Sequence, residues 1–169
     1  MKVLVAGESW ITHLVHIKGF DNFTNAAYET GMKWFRESLE QAGITVVHIP
    51  GHNAAVDFPN TMEGLNQYDA IFLSDIGANT LLLHPDTFTK SIRTPNRLKL
   101  LRQWVLEGGG LGMIGGYLTF QGMNAAGCWR GTAVEEVLPV NLEIGDDRVE
   151  VPEGFHPQVV DQTHRILTG

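Results

Sequence analysis

Cysteine is almost missing: Cys128 stands alone among 169 residues, so no internal disulfide and no cysteine-based zinc cluster can form, and a reducing compartment suits the chain. Long apolar runs are missing as well. No stretch approaches the ~20 residues of a membrane span. The run Val3-Leu4-Val5-Ala6 near the amino terminus is too short for the core of a secretory signal. The expected address is the cytoplasm, with no membrane partner. Positive charge is scarce, 12 Lys and Arg against 19 Asp and Glu, and the net charge of −7 has the wrong sign for gripping phosphate backbones. Nucleic acid is therefore not an expected partner. There is no internal repeat and no low-complexity linker. What is present is 43% hydrophobic against 18% charged residues, enough apolar surface for one core, so residues 1–169 are expected to form a single domain.

Val3-Leu4-Val5-Ala6, ending at Gly7, has the pattern of a strand buried on both faces. After a polar and aromatic loop, Tyr28, Met32, Phe35, Leu39 and Ala42 recur at helical spacing up to Gly43. A β-branched second strand spans residues 44–49 and stops at Pro50-Gly51. A short helix near Pro59 covers Met62 and Leu65, and a third strand runs over residues 70–73. Pro95 opens a helix bearing Leu98, Leu101, Trp104 and Val105. Gly108-Gly109-Gly110 ends it, and a fourth strand follows over residues 111–114. Val134, Val137 and Leu138 suit a last short helix before Pro139. Strands alternating with helices predict an α/β fold with a doubly wound, mainly parallel sheet and helices on both faces. Ligands of such sheets sit beyond the carboxyl ends of the strands.

The glycine-terminated helix, strand and tight turn of residues 108–116 resemble the nucleophile-elbow region of class I glutamine amidotransferase-like domains. Their Gly-x-Cys-x-Gly is matched here by Gly112-Met113-Ile114-Gly115-Gly116. The resemblance puts Ile114 where the cysteine nucleophile would stand, and no His-x-Glu pair follows, so glutaminase chemistry by the usual triad is absent. Four further segments are similar to a branch of that superfamily related to trehalose-utilisation-type proteins. They are Ser74-Asp75-Ile76-Gly77-Ala78-Asn79-Thr80, residues 115–122, residues 134–140 and His164-Arg165-Ile166-Leu167-Thr168-Gly169. The resemblance implies a flavodoxin-like sheet and supplies no assigned reaction. Family members tend to continue past the last segment, which implies that a C-terminal portion is missing.

Glu8, His52 and Asp75 each follow a predicted strand, and a histidine with two carboxylates can move protons or hold a divalent metal. They equally suit caps on exposed amides and a solvated imidazole. Gly115 and Gly116 permit positive φ and close backbone approach. They are expected to form an anion pocket at a helix start, with Tyr117 and Gln121 as hydrogen-bonding walls, or else only a tight turn. Trp10, Phe20, Phe23, Tyr117 and Trp129, in predicted loops, could stack on a sugar-like ligand or pack against another subunit. His13 and His16 could share a helical face as ligands, while His84 and His156, each before a proline, mark extended turns. Cys128 has only Arg130 nearby to stabilise a thiolate. Three functions stay open: a module without glutaminase activity that binds a small polar metabolite, a hydrolase or isomerase using Glu8, His52 or Asp75, and a self-associating structural subunit. Ligand, cofactor and oligomeric state are not specified.

Overall fold

Apolar runs bounded by turn residues supply the strands, and the spacing of the apolar residues between them supplies the helices. The computed structural model describes residues 1–167. The last two residues of the segment 164–169 thus lie outside the described residues. In chain order the elements begin with β1 (Lys2–Gly7), β2 (Ser9–Lys18), β3 (Asp21–Thr30), α1 (Met32–Gln41) and β4 (Thr45–Ile49). Next come α2 (Gly51–Asp57), α3 (Met62–Leu65), β5 (Ala70–Ser74), α4 (Ala78–Leu82), α5 (Pro85–Lys90), α6 (Arg97–Leu106) and β6 (Gly110–Ile114). Strands β1, β4, β5 and β6 form a four-stranded parallel sheet in the order β4-β1-β5-β6.

Because β1 is central, both of its faces are buried, which is why it is apolar without alternation. Leu4 and Ala6 meet Ile71, Leu73, Leu101 and Trp104 on one face; Val3 and Val5 meet Met32, Val46 and Phe35 on the other. Helices therefore cover both faces. The Asn96 side chain accepts from the Lys99 amide and so caps α6, with Pro95 just outside. Arg97, fully buried, donates to the carbonyls of Ala54 (3.3 Å) and Thr80 (3.4 Å), tying α6 to α2 and α4. Its burial pushes the guanidinium pKa down. No helix among the described residues is long and apolar enough to cross a membrane.

The segment before Tyr28, read from the sequence as a loop, and Tyr28 itself, read as the start of a helix, fold instead as an antiparallel hairpin of β2 and β3 joined at Gly19-Phe20. Tyr28 pairs with Ile11 in that ribbon, so α1 starts only at Met32. Helix α2, not expected, follows Pro50 directly, and its first amide, Gly51 N, donates to Ser9 Oγ (2.7 Å) from the base of the hairpin. The short helix α3 begins at Met62, with Thr61 Oγ1 accepting from Gly64 N. Near Pro139 only a 3₁₀ turn forms, Glu135–Val137.

Candidate functional site

Parallel register lines up Gly7, Ser74 and Ile114 at the carboxyl ends of β1, β5 and β6. The residues that follow, Glu8, Asp75 and Gly115, therefore emerge side by side at one edge. Glu8 has φ 48° and Asp75 φ 45°, the left-handed region that non-glycine residues seldom occupy. Such strain costs about 1–3 kcal/mol per residue and has to be held by its surroundings. Glu8 N donates to the Ser74 carbonyl (2.7 Å), and its own carbonyl accepts from Thr30 Oγ1 (3.0 Å) and Gly31 N (3.2 Å). Ser74 Oγ donates to Glu8 Oε2, and Leu118 N donates to Asp75 Oδ1 (3.0 Å). On this edge lies a cleft of about 710 Å³ lined by Glu8, Trp10, Asp75, residues 115–118, Met123, Asn124 and Ala126. No lysine or arginine lines it.

Gly115 and Gly116 line the cleft, but neither has positive φ, and no helix starts behind them. The chain bends through residues 116–121, with Thr119 Oγ1 donating to the Ile114 carbonyl (2.5 Å), so the expected helix-start anion pocket is not built. Glycine is needed at 116 for space: a Cβ there would sit 2.9 Å from Asp75 Oδ1, whereas a Cβ on Gly115 would meet open space. Tyr117 is exposed at the rim. Gln121 is not a wall of the cleft; it is buried, accepting from Arg130 N (2.9 Å) and donating to the Ile144 carbonyl.

His52, the second residue of α2, lines a neighbouring cleft of about 290 Å³, which shares Trp10, Asp75 and Leu118 with the larger one. Its ring stands edge-on to Tyr28 at 5.3 Å. Glu8, His52 and Asp75 thus do not form a metal set: among the described residues no three histidine, cysteine or acidic side chains come together for a cation. His13 and His16, placed on one helical face by the sequence reading, lie on opposite faces of β2, and His16 stacks on Phe23 at 4.4 Å. His84 caps α5, its Nδ1 accepting from Asp86 N (3.1 Å). His48, not singled out from the sequence, donates from Nε2 to the Gly7 carbonyl (2.7 Å) beside the strained turn. Cys128 is exposed and outside the cleft lining, its thiol directed at the Ala125 carbonyl.

Trp129 is no surface platform. It is fully buried, and its indole N–H reaches the carbonyls of Ile76 (2.9 Å) and Leu118 (3.3 Å), stapling the loop after β5 to the loop after β6. From below, Asp147 accepts from Gln121 N and Gly122 N (2.8 Å each), and Asp146 accepts from Asn124 N (2.7 Å). The Arg148 guanidinium bonded to Asp146 holds that carboxyl well below the usual carboxylate range. A depressed folded-state pKa contributes stability that is complete above the unfolded value of about 3.9 and disappears as pH falls through the folded value. The Asn124 amide should therefore keep its hydrogen-exchange protection at pH 5 and lose it only in stronger acid. In Asp146→Asn the protection should already be weak at neutral pH.

A mainly parallel sheet in this order with helices on both faces fits the flavodoxin-like architecture of class I amidotransferase-like α/β proteins. A model of the family described as "Putative glutamine amidotransferase" matches residues 2–169, and the chain belongs to this family. Among solved structures, cytoplasmic protein STM3548 from Salmonella typhimurium is similar, with TM-score 0.95 and 44% identity over 100% of this chain and 69% of that one. Cytoplasmic protein STM1381 from Salmonella typhimurium LT2 matches with TM-score 0.85 and 48% identity, over 91% of this chain and 63% of that one. The chain thus spans about two thirds of the length of either structure. No curated protein matches it. Ile114, where the resemblance places the nucleophile, carries no nucleophilic atom and lines a small, mainly apolar cavity of about 240 Å³ with Val5, Met32, Phe35 and Glu8.

Proposed function

We propose that the protein is a cytoplasmic, amidotransferase-like module without glutaminase activity that binds a small, neutral, sugar-like metabolite in the cleft at the carboxyl edge of the sheet. The observation that carries this reading is the pair of carboxylates on one cleft, Glu8 and Asp75, both on left-handed backbone. Phe120, Asn124, Ala125 and Cys128, in the loop that forms or adjoins the cleft wall, are held the same way. Strain concentrated in one place is characteristic of functional sites. Carboxylates accept hydrogen bonds from ligand hydroxyls, and Trp10 and Tyr117 offer flat apolar faces to a ring. With acidic groups and no cation in the lining, an anionic ligand would be repelled. The naming of both structural neighbours as cytoplasmic proteins supports the location.

A second reading, a hydrolase or isomerase, rests on the Glu8 carboxylate, which the Ser74 hydroxyl holds beside the small cavity lined by Ile114, with His52 in the neighbouring cleft as a further proton carrier. A thermal-shift screen of neutral sugars, sugar acids and small carboxylates tests the binding module. Neutral sugars should raise the melting temperature of the wild type and the acids should not. In Gly116→Val the added side chain presses on Asp75, costing roughly 1–3 kcal/mol, and a folded sample of that variant should show no protection. Protection of both proteins alike would remove the ligand from this cleft. Turnover of a protecting sugar, lost in Glu8→Gln, would favour the enzyme.

A further inference from the structure

We propose that the hairpin of β2 and β3 is a dimerisation arm, two copies of this chain packing the uncharged faces of their ribbons together about a two-fold axis. Apart from Ser9 and His16 every residue of its two ten-residue strands is exposed, and a two-stranded ribbon alone is at best marginally stable in water. Register divides its side chains into two faces. All three charged residues, Lys18, Asp21 and Glu29, lie on one face, where partners are already found within the ribbon. There Trp10 Nε1 (2.7 Å) and Thr12 Oγ1 (2.8 Å) donate to Glu29, which holds its carboxyl below the usual range, and His16 stacks on Phe23.

The other face has no formal charge. Along β2 it raises a ridge of Ile11, His13, Val15 and Ile17; opposite its outer part Ala26, Thr24 and Asn22 form a trough along β3, while at the base Ser9 and Tyr28 rest on Gly51 and His52 of α2. A two-fold axis sets the ridge of one copy into the trough of the other, so the face is complementary to itself in shape, as an isologous interface requires. It also fits by charge: two chains of net charge −7 repel over most of their surfaces, and this face brings no like charges together. Clear of that base the free face is roughly 24 Å by 10 Å, and two such corrugated faces bury on the order of 700 Å² in total, the size of a weak, transient interface. The dimer is accordingly expected to dissociate in the high micromolar range, about 100 μM or above.

Sedimentation equilibrium of the purified chain across that range should give twice the monomer mass at the upper end. Val15→Lys places a charge on the ridge and should leave only monomer at every concentration, at least a tenfold weakening. Leu14→Lys, next to it in sequence but on the other face, should keep the dimer and serves as control for the folding of the arm. Circular dichroism and melting confirm that both variants keep the parallel core, which neither residue enters. A monomeric wild type overturns the proposal and assigns the face to some other occupant. A dimer that survives Val15→Lys, or one lost equally in Leu14→Lys, overturns it as well.

Discussion

Trp129→Ala is expected to destabilise the chain by about 3–5 kcal/mol, the range for emptying a large buried aromatic site. Trp129 is fully buried, packed in the same cluster as Ile76, Leu81 and Val134. Two carbonyls, of Ile76 and Leu118, also lose their shared donor. Urea denaturation should show a lowered midpoint with little change in slope. Trp129→Phe separates the two contributions: it keeps most of the volume but not the N–H, and should cost about 1–3 kcal/mol for the stranded carbonyls. The two loops on either side of the cleft would lose their staple in both variants, so protection by any ligand of the cleft should fall even in Trp129→Phe. A loss below about 1 kcal/mol in Trp129→Ala would mean that the neighbouring side chains collapse into the space, contrary to the usual partial relaxation.

Gly7→Ala should be the more damaging of two glycine changes that share a backbone conformation. Gly7 has φ 99°, and its added Cβ would overlap the Ser74 carbonyl oxygen, the acceptor for Glu8 N. Neither β1 nor β5 can withdraw, since each is paired on both sides at the centre of the sheet. The expected cost is at least about 3 kcal/mol, strain and overlap together. Gly43→Ala supplies the comparison: φ is 75° there, but a Cβ would meet open space, so about 1 kcal/mol of strain alone is expected. Melting curves of the two variants should differ widely. Equal losses would show that β1 can shift to make room.

The central strands β1 and β5 were legible because such strands of a parallel sheet are apolar on both faces and need no alternation to be seen, and the edge strands β4 and β6 were marked by the turn residues that bound their short apolar runs. The arm was not, for a related reason. Apolar residues project from both of its faces without a buried side to impose alternation, and its turn, Gly19-Phe20, is not one of the strong hairpin dipeptides. Tyr28 happens to lie four residues before Met32, so helical spacing absorbed it into α1. Trp129 sits between Cys128 and Arg130 with no periodic neighbours, and nothing local distinguishes a core residue from a surface one there. Glu8 and Asp75 could be placed from the sequence, since register alone brings strand ends together. Their strain could not, because it depends on Ser74, Gly31 and Leu118, which are distant in the chain. The need for glycine at 116 is likewise set by the Asp75 side chain, about forty residues away.

The central place of β1 in the sheet also governs how the nascent chain is exposed. β1 is made first, yet its neighbour β5 pairs Val3 with Ala70, so that edge stays open while the residues between are synthesised, roughly 3–13 s at ordinary elongation rates. The hairpin immediately after it is a purely local structure that forms in about 1–10 μs. For those seconds β1 keeps one apolar edge, Val3-Leu4-Val5-Ala6, without the strand that closes it, since β4, made earlier than β5, can pair only with the other edge.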